Sequence, residues 1–266
     1  MSSLAHRSIG FGAASILLEA GAKIIIISSS QANVDNAVTR LGGPNDRLRG
    51  LAGNVRDENA FADLLLSLAP LDHIVFSGVD KIIRGELVDT DLDEAKRLFG
   101  VKFWGSVVVG KGNCDSLDSL LVLLTNQFIS ALAKHDIVVP GGSLTLTSGA
   151  AAIRPKKGAT IGSALNSGVI TLTAALADEL TAKKIRVNTV VPGLVKSELW
   201  DKLGHTKERQ EEMFEEGSKK LPVGFVATPD DIAEAYLYLV RASYANGSVV
   251  VIGKSPLLVY PLESCN

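Results

Sequence analysis

Cysteine is nearly missing from this chain. Its 266 residues include two, Cys114 and Cys265, too few for a disulfide framework, and a reducing, cytoplasmic compartment is expected. The four histidines, His6, His73, His135 and His205, stand apart from one another, and no Cys/His spacing suits zinc. No apolar run reaches the ~18 residues of a membrane span, and the N-terminus lacks the basic, apolar and small-residue order of a signal peptide. Neither sign of charge is in excess: 27 Lys and Arg against 29 Asp and Glu leave a net charge of −2. Neither nucleic acid nor a membrane is expected as a partner. Tyrosine is the last shortage. All four, Tyr236, Tyr238, Tyr244 and Tyr260, follow residue 235.

What is present is an α/β pattern. A hydrophobic share of 46% and a charged share of 21% suit one domain with a sizeable core. The pattern is strongest between Ser143 and Leu199. An apolar strand, Leu144 to Thr147, ends in Ser148-Gly149, and a long helix follows from near Ile161. Ile161, Leu165, Val169, Leu172, Leu176 and Leu180 make one apolar face of that helix. A buried strand, Arg186 to Val191, then ends in Pro192-Gly193. This βαβ unit points both strand ends at one crevice.

Upstream, a helix begins at Ile9, carries apolar Ala13, Ile16, Leu17 and Ala20, and stops at Gly21. Lys23 to Ser28 reads as a strand buried on both faces. A helix (Ala32 to Leu41), a strand (Leu48 to Ala52), the turn Gly53-Asn54-Val55, a helix (Asp57 to Leu68) and a strand (His73 to Phe76) come next. Downstream, Ser197 to Ser218 reads as a charged, helical, mobile cover over the crevice. Thr228 caps a helix to Arg241 with Pro229 near its first position, and Val249 to Ile252 is the last strand.

Ser148, with Arg186-Val187-Asn188-Thr189-Val190-Val191-Pro192-Gly193 at its separation, resembles the active-site half of the short-chain dehydrogenase/reductase family. The resemblance implies a single domain over residues 1–266, a Rossmann-like doubly wound parallel sheet, an NADP cofactor and a small organic substrate. It is compatible with a homo-oligomer. In the family a Ser closes the strand and holds the substrate carbonyl oxygen. A Tyr-x-x-x-Lys pair opens the next helix, the Tyr acting as general acid while the Lys lowers its pKa and bonds the nicotinamide ribose. The aligned positions here hold Gly162 and Asn166. Ser148 is left as the one matched catalytic residue; the alternative is a strand-end Ser bonding local backbone.

The resemblance also assigns cofactor positions. The family's T-G-x-x-x-G-x-G places Ser3, Leu4, Ser8 and Gly10 at its named positions, so the pyrophosphate falls at Ser8, Ile9 and Gly10. Ser28, Ser29 and Ser30 follow the strand whose end chooses between NAD and NADP, and hydroxyls without an acid favour NADP. Asn54 and Val55 fall at the adenine, Ser77 and Gly78 at its ribose, and Asn166 at the nicotinamide ribose. Pro192, Gly193, Val195 and Ser197 fall at the nicotinamide amide. The strand that normally precedes the first helix has no counterpart. Strands lie ~4.8 Å apart, so its loss implies a gap of roughly twice that between Lys23–Ser28 and His73–Phe76. A truncated start is expected.

Three departures complete the comparison. Lys102 replaces the Asn of the family's V-N-L-x-G and is expected at the solvated surface, with a relocated ammonium as the alternative. Arg154 is expected in solvent, with anchoring of an anionic group as its alternative. Gly112 to Gln127 interrupts a helix that would otherwise run from Gly105 through Phe128 to Lys134, and reads as an insertion. Two functions follow: an NADP(H)-dependent oxidoreductase of impaired activity, on a small organic (secondary-metabolite) substrate, or a non-redox protein of the same fold. The second class covers a binding scaffold, a cyclisation catalyst and an inactive truncated product.

Overall fold

An apolar run without alternation calls for burial on both faces, and Arg186–Pro192 has it: all seven residues of this strand, β5, are buried. It is the third of four parallel strands in the order β3-β4-β5-β6, with β3 at Leu71–Phe76, β4 at Val138–Thr147 and β6 at Val249–Ile252. A second parallel sheet pairs β1 (Ile24–Ser28) with β2 (Leu48–Ala52). The structure, a computed structural model, describes residues 8–79, 85–114 and 137–253. Among these, no strand lies between β1 and β3. The sheet therefore divides where the doubly wound order would hold its first strand. Ser3 and Leu4 fall outside the described residues.

The helices follow their local signals. Ser8 caps α1 (Ile9–Glu19), and Gly21, at a φ of +94°, turns the chain out of it. Ser30 caps α2 (Gln31–Arg40), and Asp57 caps α3 (Glu58–Leu68). After α4 (Leu92–Phe99) comes one π-helical turn, Gly100–Trp104, then α5 (Gly105–Cys114). The long α6 spans Thr160–Glu179, and α7 (Leu199–Lys202) and α8 (Lys207–Lys220) follow β5. A reciprocal Thr228–Asp231 capping box with Pro229 opens α9 (Pro229–Arg241).

One core lies on each face of the four-stranded sheet. On one side Val109, Leu144, Leu146, Val169, Leu176 and Val187 pack with Phe61 and Leu65 of α3. Ile27 of β1 joins them, so the two sheets share this core. On the other side Ala13 of α1 meets Val190 and the α9 residues Ile232, Tyr236 and Leu239. Arg40, at the end of α2, lies 4.5 Å from the centre of the Phe11 ring and 3.2 Å from Glu198. An ion pair this open to water contributes at most about 1 kcal/mol.

Several expectations need correction. The buried face of α1 is Phe11, Gly12 and Ala13, not the stripe through Ile16, Leu17 and Ala20. The helix docks by its first turns on the start of α9, where a Cβ on Gly12 would lie 2.6 Å from the Pro229 carbonyl oxygen. In α6 the buried side chains are Ser163, Leu165, Val169, Thr173, Leu176 and Ala177, while Ile161 is only partly covered. That helix is long and apolar enough to cross a membrane. Here it packs on β4 and β5 as a core helix. α5 continues through Gly112 to Cys114, the first three residues of the expected insertion. A Cβ on Gly112 would lie 2.8 Å from Ile137 Cδ1, so this turn packs on the entry to β4; residues 115–127 lie outside the described ones. In the charged segment at 197–218, Trp200 and Phe214 form a small core with Val226. Trp200 Nε1 donates to the Val195 carbonyl at 2.7 Å, which pins it to the chain leaving β5.

Candidate active site

The site is built at the C-terminal end of β4, where successive side chains point to opposite faces. Thr147 points toward α9. Its hydroxyl donates to the Phe76 carbonyl at 2.9 Å and therefore accepts from the Tyr236 phenol at 2.7 Å. Tyr236 is wholly buried, and burial pushes its pKa up. Of the other tyrosines, Tyr238 and Tyr244 are exposed and Tyr260 lies outside the described residues. No described tyrosine occupies the place of the missing acid.

Ser148 points the other way, toward α6. It is 3% exposed, and its hydroxyl donates to the Asn166 backbone carbonyl at 2.7 Å. This is the local-backbone bond of the alternative reading, and it leaves the oxygen's lone pairs able to accept. The Asn166 amide donates to the Gly162 carbonyl at 2.6 Å. Asn166 Oδ1 is buried with no partner among the described residues. A Cβ on Gly149 would lie 3.1 Å from that oxygen, whereas a Cβ on Gly162 would meet nothing within 4 Å. The position of the family's phenol is open space.

Lys102 overturns the expectation of a solvated side chain. It sits in the π-helical turn, a local widening that re-aims side chains and recurs at functional sites. Its Nζ donates to the Ser148 carbonyl at 2.8 Å. Burial alone pulls its pKa from 10.5 down to about 8, with no charged neighbour contributing among the described residues. Spacing pointed to this position; only the packing shows where the ammonium goes. Arg154 is exposed, as expected.

The cofactor positions fall into three groups. Ser8 is exposed, and its hydroxyl accepts the Phe11 N–H at 3.2 Å. Ile9 packs at the edge of the α9-side core, and a Cβ on Gly10 would lie 2.4 Å from Ser77 Oγ. Ser77 therefore fills the room that Gly10 leaves, while Gly78 lies close against the Phe76 ring. The second group sits at the ends of β1 and β2. The Ser28 carbonyl accepts from Gly53 N–H at 2.9 Å, Ser29 is exposed, and Ser30 Oγ caps α2. Asn54 Oδ1 accepts from Arg56 N–H at 3.1 Å, and Val55 is a core residue.

The third group follows β5. Pro192 ends that strand, Gly193 N–H bonds the Ile252 carbonyl at 2.7 Å, Val195 bridges to Ala227, and Ser197 is 5% exposed. The Arg and Asn that open this motif are scaffold. Arg186 donates to the carbonyls of Leu239, Val240 and Ala245, satisfying the end of α9. Asn188 donates to the Ala245 carbonyl and accepts from Ser248 N–H.

This assembly has counterparts. The model of the SDR-like Rossmann domain matches residues 4–258. The chain is 29% identical over 265 residues to the short-chain dehydrogenase/reductase fsr5 of Gibberella fujikuroi, covering 91% of this chain and 88% of that one. Among solved structures it is similar to the MalC reductase/Diels-Alderase of Malbranchea aurantiaca, at 27% identity and a TM-score of 0.75, covering 95% of this chain and 93% of that one. A small-chain dehydrogenase in complex with NADPH superposes with a TM-score of 0.67 at 25% identity, covering 86% of this chain and 94% of that one. The chain belongs to the short-chain dehydrogenase/reductase family, an oxidoreductase family of Rossmann-like fold.

Proposed function

We propose that this protein binds NADP(H) and a small organic molecule at the C-terminal ends of β3 to β5, and that its capacity to reduce ordinary ketones is impaired. The observation that carries the reading is the constellation of Ser148, Asn166 and open Gly162 beside the chain leaving β5. The buried, unpartnered Oδ1 of Asn166 suits a ribose hydroxyl, which would satisfy it. Ile9 and Gly10 at the start of α1 offer N–H groups to a pyrophosphate, and Pro192, Gly193, Val195 and Ser197 border the nicotinamide end. When bound, the nicotinamide supplies or takes up hydride. Ser148, whose hydrogen goes to the Asn166 carbonyl, is left to accept from a substrate hydroxyl. Hydroxyls at Ser28, Ser29 and Ser30, with no acid among them, favour the phosphorylated dinucleotide.

A second reading draws on the open space at Gly162. A site with no phenol and more room suits a substrate that needs no proton from it, or a cyclisation; the similar MalC protein is described as both a reductase and a Diels-Alderase. Two cysteines and a near-neutral chain favour a reducing, cytoplasmic setting for either function. Titration with NADPH and NADH, followed by nicotinamide fluorescence, tests the first reading. Tighter binding of NADPH is the expected result. Absence of binding by either would leave the non-redox reading, and tighter NADH would overturn the assignment to the serines.

A further inference from the structure

We propose that Lys102 is the substrate-oxygen-binding residue of this crevice, its ammonium taking a carboxylate or a carbonyl oxygen of the bound small molecule. The proposal rests on the reading that the crevice at the end of β4 binds such a molecule. The geometry begins with the π-helical turn, which directs Lys102 to the Ser148 carbonyl at 2.8 Å. An ammonium has three N–H donors. One is used there, and no other partner stands among the described residues. Asn166 Oδ1, also unpartnered, lies against Gly149 of the same segment, and Gly162, one turn earlier on α6, is open. Two spare donors and an unpartnered acceptor thus meet at the Ser148-Gly149 segment, and the acceptor's helix carries the position of the family's phenol.

Chemistry favours an oxygen as the occupant. A part-buried ammonium without a carboxylate beside it is costly to keep. A ligand oxygen carrying full or partial negative charge supplies what the protein does not. A cationic ligand would be repelled, and a purely apolar one would leave the two donors unpaired.

Benzoate is a suitable probe, because it presents a carboxylate and needs no cofactor. Binding is measured by calorimetry for the wild type, Lys102→Met and Lys102→Arg, each first checked for a folded circular-dichroism spectrum. The Lys102 side-chain resonance is followed in protein labelled at lysine, assigned by its loss in Lys102→Arg. The wild type should bind benzoate at least tenfold more tightly than Lys102→Met, with Lys102→Arg in between. Benzoate should also shift the Lys102 resonance and raise its titration midpoint, since a nearby anion favours the charged form. Equal affinity of wild type and Lys102→Met, or no benzoate binding by either, would overturn the proposal. So would a Lys102 resonance that benzoate leaves in place. NADPH fluorescence on the same samples separates the two claims: benzoate binding that depends on Lys102 without NADPH binding removes the redox reading and leaves this one standing.

Discussion

The Ser148 hydroxyl and the Asn166 carbonyl oxygen are 2.7 Å apart, so the end of β4 is tied to α6 through backbone that no side-chain replacement at 166 removes. The family's pair can therefore be rebuilt without disturbing Ser148. A Cβ at 162 meets nothing, and Asn166→Lys removes a buried, unpartnered oxygen. Gly162→Ala should stabilise the protein by up to about 1 kcal/mol, the helix-propensity difference. Gly162→Tyr with Asn166→Lys should fold but gain less than tenfold in ketone reduction, because Ser8 and the divided sheet are untouched. Steady-state rates with NADPH check this. A gain of about 10²–10⁴, what a positioned proton donor contributes, would show an intact cofactor end.

Tyr236 is the one described tyrosine that comes near the site, bonded from α9 to Thr147, the neighbour of Ser148 that faces the other way. Its phenol is spent on Thr147, which keeps its own bond to the Phe76 carbonyl. Tyr236→Phe should cost about 1 kcal/mol, one neutral hydrogen bond, and leave NADPH affinity and any turnover unchanged. Chemical denaturation and a rate assay read the two effects. Loss of turnover in a stable Tyr236→Phe protein would make this phenol the proton source.

The α9 contact rests on glycine. A Cβ on Gly12 would come 2.6 Å from the Pro229 carbonyl oxygen, which is backbone and cannot swing away. One on Gly10 would come 2.4 Å from Ser77 Oγ, the free end of a side chain. Gly12→Ala should therefore destabilise by roughly 1–3 kcal/mol, the range for overpacking, and Gly10→Ala by less. Ser77→Ala should rescue Gly10→Ala and leave Gly12→Ala unimproved. Melting temperatures of the four variants settle the order, and an equal loss for both glycines would refute the distinction.

The fold was legible because its signals are local. Ser8, Asp57 and Thr228 cap helices with their own side chains, and the apolar run of β5 has to be buried wherever it lies. Among the described residues the sheet is divided, as helix signals beginning at Ile9 lead one to expect. Of the candidate site, the structure brings Ser148 and Asn166 together, by a bond that the sequence does not show. Spacing placed Ser148, Gly162 and Asn166, yet Ser148 turns its hydrogen to a backbone carbonyl that no side-chain pattern reports. For Lys102 the structure favours the alternative, a relocated ammonium, because the π-helical turn carries its side chain to the Ser148 carbonyl. Arg186 and Asn188 belong to a motif of the active-site half, but their bonds go to the end of α9 and the loop before β6, which lie some 50 residues away in sequence.

The buried ammonium gives a pH test of its own. Lys102 titrates at about 8 in the folded protein, against 10.5 for a free lysine. Below pH 8 it is charged in both states and the full cost of burying that charge is present. Between pH 8 and 10.5 the unfolded chain binds more protons than the folded one, so stability attributable to this residue rises with pH. A shift of this size corresponds to about 3 kcal/mol. Partial solvent contact and the lost bond to the Ser148 carbonyl reduce the net effect of Lys102→Met to about 1–2 kcal/mol. The variant should therefore be more stable than the wild type at pH 7, and that advantage should shrink toward pH 10.5. Urea denaturation at pH 7, 9 and 10.5 measures the difference directly. An advantage that grows with pH would mean that the ammonium is held by an anion and that its folded pKa is raised.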